Sequence, residues 1–183
     1  MAVAVLFTAS CAKEDISSSI AGGEANVTFT VDLPELGTRA YGEGNHATTL
    51  KFFVYEYENE NVIGKYLPNV LIYDANNVGR NVITSTNKRF DFSLTLIKGM
   101  KYNIVFWADK GEYSPYSPVL DANGAPTGVI KANYSDVYAN DDSLDAFFGS
   151  LKNFDPAAEN AQSRAREIKL YRPFAQLNAA TND

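Results

Sequence analysis

The side chains able to do chemistry are few and poorly matched to one another. The single histidine, His46, sits among Gly, Asn and Thr, so a serine hydrolase would have one base available. It would also lack the Gly-x-Ser-x-Gly turn that presents such a nucleophile. The single cysteine, Cys11, allows neither an intrachain disulfide nor a thiolate cluster, and a lone histidine builds no zinc site. The chain contains no phosphate-binding P-loop and no dinucleotide fingerprint. Asp136, Asp141, Asp142 and Asp145 could offer clustered oxygens to calcium, but they lack EF-hand spacing and read as a solvated acidic loop. Glycoside cleavage needs two placed carboxylates, and no spacing singles out a pair here. These absences point away from catalysis and imply no metal and no cofactor.

Two tyrosines offer a different chemistry. Tyr113 and Tyr116, interleaved with Pro115 and Pro118, would form an aromatic loop that stacks on sugars or contacts protein. The alternative is that they pack down over the edge of the fold. Trp107 reads as core. The formal net charge is -6 and the pI about 4.8. That balance excludes the basic face that nucleic acid rewards and a polybasic membrane patch.

The elements that would position these residues are strands. Of 183 residues, 45% are hydrophobic and 21% charged, an ordinary globular balance for one domain or slightly more. The 11 Tyr and 11 Phe favour pleated, half-buried surfaces. From Ala25 the pattern alternates, with Val27, Phe29, Val31 and Leu33 on one face and Thr28, Thr30 and Asp32 on the other. Thr49 to Tyr57 is apolar on both faces, as in a central strand covered on both sides. Val70 to Tyr73 is a short strand. Arg89 to Ile97 and Tyr102 to Asp109 alternate and, joined by Lys98-Gly99, predict a hairpin. Residues 112 to 126 read as an irregular excursion, Tyr134 to Phe148 as the only helical zone and 155 to 163 as a polar loop. Arg164 to Tyr171 reads as a last strand. Asp74-Ala75-Asn76-Asn77 and Asp121-Ala122-Asn123-Gly124 are turns. Short strands separated by turn signals indicate an all-β sandwich.

The chain begins with an apolar run too short to span a bilayer. Thr8-Ala9-Ser10-Cys11 resembles a bacterial lipobox, in which small residues flank the scissile bond and the cysteine sulfur carries lipid. Thr8 stands where leucine is usual and no basic residue precedes the run, which suggests a true start upstream. The other reading of Cys11 is a buried cysteine in an N-terminal strand. Lys13-Glu14-Asp15 resembles the acidic signal that directs lipoproteins to the outer face of the outer membrane. The small and polar residues that follow make a tether.

Several further segments, taken in order, resemble one family. They are Asn26-Val27-Thr28-Phe29-Thr30-Val31, Thr38-Arg39-Ala40-Tyr41-Gly42 and Leu50-Lys51-Phe52-Phe53-Val54-Tyr55. Tyr102-Asn103-Ile104-Val105-Phe106-Trp107-Ala108 follows, then Asp145-Ala146-Phe147-Phe148-Gly149 and Arg172-Pro173-Phe174-Ala175-Gln176-Leu177-Asn178. The order is similar to the fimbrillin, or type V pilin, superfamily of Bacteroidota surface lipoproteins. The resemblance implies transthyretin-like antiparallel β-sandwiches with at most a minor helix, export to the outer membrane and no enzymatic activity. Its partners would be other subunits, engaged by strand exchange, or a host or glycan ligand, with lipid on Cys11 reaching the membrane. It also implies cleavage between Arg39 and Ala40 in polymerising members, although Arg39 can equally be an ordinary loop residue. The expected organisation is residues 1–23 as signal and tether and 24–172 as an N-terminal sandwich. Residues 173–183 would open a C-terminal domain missing from this chain.

Overall fold

A computed structural model describes residues 23–34, 46–68, 81–85, 87–111, 114–133 and 144–173. Its elements are β1 (Glu24–Asp32), β2 (Thr49–Glu56), β3 (Lys65–Tyr66), β4 (Val82–Thr84) and β5 (Arg89–Ile97), then β6 (Tyr102–Asp109), β7 (Tyr116–Leu120) and β8 (Pro126–Ala132). β9 (Phe147–Phe154), α1 (Ala161–Arg166) and β10 (Ile168–Lys169) complete it. The fold is an all-β sandwich. One sheet has the order β10-β1-β5; the other has the order β3-β2-β6-β9, with β4 also on β2.

The alternating faces read from the sequence pack as expected. Val27, Phe29 and Val31 of β1 and Phe90, Phe92, Leu94 and Leu96 of β5 face Leu50, Phe52, Ile104 and Phe106 in one core. Aromatic rings bridge the layers: Phe52 stacks on Phe92 at 4.6 Å between centroids, and Phe29 lies 6.5 Å from Phe106. On the outer face of the first sheet, cross-strand partners are polar. Thr30 donates to Asp91 at 2.7 Å and Thr28 pairs with Ser93 at 3.1 Å.

The expected hairpin between Arg89–Ile97 and Tyr102–Asp109 does not form. β5 pairs with β1, whereas β6 lies between β2 and β9 in the opposite sheet. Lys98-Gly99 is therefore an arch that carries the chain across the core, so the two apolar faces meet across the sandwich rather than side by side. Tyr102 closes the arch: its phenol accepts the Ile97 N–H at 2.9 Å and donates to the Ile97 carbonyl at 3.4 Å. The physical reason lies in β6, which is buried along its whole length. It needs a strand on each edge and cover on each face.

The outer cover is a hairpin of β7, which lies within the stretch 112–126 expected to be irregular, and β8, which continues beyond it. It closes at the expected Asp121 turn, where Asp121 Oδ1 accepts the Asn123 and Ala125 N–H groups at 2.8 and 2.9 Å. Ile130 packs on Phe53, Tyr55 and Val105, and Tyr116 packs on Trp107. Tyr55 donates to the Pro126 carbonyl at 3.1 Å and so fastens the hairpin to β2.

Two other expectations are corrected. Phe147 and Phe148 lie in strand β9, not in a helix, and residues 134–143 fall outside the described part. The helix, α1, lies at the junction of the predicted polar loop and last strand, which shrinks to Ile168–Lys169. Only Ala161 and Ala165 of α1 are buried, too slight an apolar stripe to read as a helix. The strand predicted at Val70 to Tyr73 and the turn at Asp74 lie outside the described residues.

Burial makes the sandwich sensitive to alkali. It pushes the Tyr55 phenol well above its ordinary pKa, with the neighbouring Tyr66 adding to this and a backbone hydrogen bond from Gly128 opposing it. Burial also raises Tyr102, against the lowering effect of its Ile97 hydrogen bond, with Glu56 adding to the rise. In the unfolded chain these phenols ionise near pH ~10. Above that pH the folded state holds more protons than the unfolded state, so stability falls as pH rises. The contribution is fully present below about pH 10 and is lost towards the folded values. The phenols' contribution to the unfolding free energy from urea melts is expected to drop above about pH 10, by at most about 1.4 kcal/mol per pH unit for each. Tyr55→Phe removes its share of that slope.

Candidate functional site

Most of the residues with an expected site role, Cys11, Arg39, Ala40 and Tyr113, lie outside the described residues. Tyr116 is described, and it is not a ligand platform. It is 5% exposed, meets Trp107 edge-on at 5.1 Å between centroids, and donates to the Leu144 carbonyl at 2.9 Å. Tyrosine at the start of β7 alternates inward against β6, so its ring packs down over the sandwich. His46 is exposed at the start of the segment entering β2.

Of the expected acidic group, Asp145 is buried and pairs with Arg172 at 2.8 Å, while the other three aspartates lie outside the described residues. Among the described residues, no group of three or more His, Cys, Asp or Glu side chains could hold a metal. No described helix is long and apolar enough to cross a membrane.

The element with the strongest geometric case for function is β1. It is the first described strand, and the segment carrying Arg39 and Ala40 connects it to β2. Its alternation places Val27, Phe29 and Val31 in the centre of the core. One edge pairs antiparallel with β5 from Glu24–Ile97 to Asp32–Arg89. The other edge is closed differently: only Val31 and Asp32 pair with β10, in parallel. Further back, Gln162 of α1 donates to the Thr28 carbonyl at 2.7 Å. β1 therefore occupies a slot whose walls are one full strand, a short strand and a helix, and whose floor is aromatic.

A closing strap joins this slot to the second sheet. After β10 the chain crosses the sandwich edge, and Tyr171 exchanges two backbone bonds of 2.8 Å with Phe148 of β9. Gly149 makes room for it; a Cβ there would lie 2.6 Å from Leu170 Cδ2 and 2.8 Å from the Lys169 carbonyl oxygen.

The chain belongs to the family of unknown function DUF6562, whose model matches residues 18–183. No curated protein and no solved structure matches it significantly. Function in this DUF6562 chain must therefore be read from its own geometry.

Two features escaped the sequence reading. Asp109, at the end of β6, is fully buried, and its Oδ2 is 2.9 Å from Lys51 Nζ. The same oxygen accepts from Trp107 Nε1 at 2.9 Å and Ser114 Oγ at 2.8 Å, while Oδ1 accepts the Gly111 N–H at 2.8 Å. A carboxylate enclosed by four donors is a structural junction between β2, β6 and the approach to β7, not a general base. The second feature is a cleft of about 390 Å³ on the outer face of the second sheet, beyond the end of the β7–β8 cover. The segment 57–63, β9 and Gly128 wall it. The only sequence signal for it was the polar run Asn59-Glu60-Asn61 beside an aromatic strand.

Proposed function

We propose that the protein is a non-enzymatic, cell-surface structural or adhesive subunit of fimbrillin type. It is tethered to the outer membrane by lipid on Cys11 and assembles by exchange of β1. The observation that carries this reading is the slot of β1. The strand supplies an alternating apolar face to the core and takes its backbone bonds chiefly from β5. Any extended segment with apolar residues at the Val27, Phe29 and Val31 positions would satisfy the same slot. Main-chain bonds would give affinity and the inward pockets specificity. The Arg39–Ala40 bond lies in the segment that follows β1, so cleavage there would separate the strand from the rest of the sandwich.

The test is the N-terminal mass of the native protein in outer-membrane and sheared surface fractions. A chain beginning at Ala40 in the sheared fraction, assembled into species larger than a monomer, is the expected result. A chain beginning at lipidated Cys11 in every fraction would remove strand exchange and leave a tethered surface protein. A chain with Cys11 unmodified and retained inside the cell would overturn the surface assignment itself.

A further inference from the structure

The cleft beside β9 has the chemistry of a sugar site. Its aromatic walls are Tyr57, half-buried at the end of β2, and Phe148, 37% exposed on β9. Tyr171, 65% exposed, pairs directly with Phe148 across the closing strap. Directly opposed residues project on the same face of a sheet. Tyr171 itself lines a separate cleft with Asp32, Leu33 and Pro34, so the rings inside this one are Tyr57 and Phe148. Flat rings of this kind stack on the C–H faces of pyranoses, and Phe148 is exposed although it lies in a paired strand.

The polar lining matches hydroxyl groups. Asn59, Asn61 and Ser150 are exposed at the cleft, and an amide side chain both donates and accepts, as a hydroxyl does. The charges cancel: Glu60 and Lys152 both line the cleft and are of opposite sign. With a whole-chain charge of -6, the site has no field that would hold a phosphate or sulfate. Its volume falls within the range of ligand clefts, roughly 300–1,000 Å³.

The floor is preorganised. Asn103 of β6 donates to the Ile63 carbonyl at 2.9 Å and accepts the Asn153 N–H at 3.0 Å, tying the loop on one wall to β9 on the other. The Asn61 N–H binds Asn59 Oδ1 at 2.9 Å and fixes the loop tip. Gly128, with a positive φ of 79°, lets Ile63 seat against the hairpin; a Cβ there would strike its Cδ1. Asn153 sits at the irregularity of β9 with a φ of +49°, which asparagine adopts readily. Its Oδ1 is buried with no hydrogen-bond partner.

We propose that this cleft binds a neutral oligosaccharide, with Tyr57 and Phe148 as the stacking platform and Asn59 and Asn61 as the hydroxyl-reading groups. The site is independent of β1, so it stands whether or not strand exchange occurs.

The experiment is a backbone amide NMR titration of the full 183-residue chain. The probes are maltotetraose, mannotetraose and N-acetylchitotetraose at millimolar concentration, with a heparin tetrasaccharide as the acidic comparator. At least one neutral sugar is expected to give saturable shifts confined to residues 57–62 and 148–153. Phe148→Ala and Asn61→Ala are expected to weaken binding by about tenfold or more while the amide spectrum away from the cleft stays that of the folded parent. Three results would each overturn the proposal: none of the neutral sugars shifts those amides, both variants bind as the parent does, or the heparin fragment binds more tightly than every neutral sugar.

Discussion

Truncation of Phe29 to alanine is expected to cost about 3–5 kcal/mol of folding stability, the range for deleting a fully buried aromatic side chain. Phe29 is 0% exposed. Its ring stacks on Phe92 at 5.3 Å and lies 5.7 Å from Phe154 and 6.5 Å from Phe106, so it touches partners in both sheets. Removing it leaves a cavity between layers that backbone pairing on either side prevents from collapsing. Against a total of about 5–15 kcal/mol for an ordinary domain, the loss would leave the chain close to its unfolding threshold. Urea unfolding followed through the single Trp107 reads it directly. Phe29→Leu, which keeps most of the volume, should cost far less. A loss below about 1 kcal/mol for the alanine variant would mean that β1 is not docked in the core in solution. It would also remove the basis for treating that slot as one that must be refilled.

Replacement of Asp109 by alanine is expected to cost a similar amount, about 3–5 kcal/mol, for a different reason. The volume removed is small. What remains is the Lys51 ammonium without its counterion, and the Trp107, Ser114 and Gly111 donors without an acceptor. Lys51 is only 19% exposed, so water cannot fully replace the carboxylate. The double variant Asp109→Ala with Lys51→Met separates the parts: it removes the stranded cation and should recover part of the loss, a less than additive outcome. Trp107 emission should also shift, because its indole N–H loses its partner. If Asp109→Ala unfolds at the parent's urea midpoint, the junction is not formed in solution.

The legibility of the fold follows from how local each signal is. The inward faces of β1, β5 and β6 were readable because strand alternation needs only neighbouring residues, and those residues occupy the core. β9 was not readable. Its inward set begins at Phe147 and Gly149, yet Phe154, of opposite parity, is also buried. The register shift opposite Tyr102 and Ile104, with Asn153 at positive φ, flips the parity. A bulge of this kind has no compositional mark. β7 was obscured by Pro115 and Pro118, which suit a two-stranded cover at the periphery but argue against a strand when read alone.

The sequence by itself determined the all-β class, the alternating core faces and the Asp121 turn, because each arises from side-chain period or turn chemistry within a few residues. It also limited the catalytic options, since one His and one Cys leave few combinations. Only the tertiary structure decided that β5 and β6 part into opposite sheets, that Tyr116 is buried, and that Asp109 gathers four donors. It likewise brought Tyr57, Asn61 and Phe148 to one cleft. Those residues are distant in sequence, and their meeting depends on which strands pair. Pairing is settled by the whole set of buried faces competing for cover, and no short window of sequence contains that set.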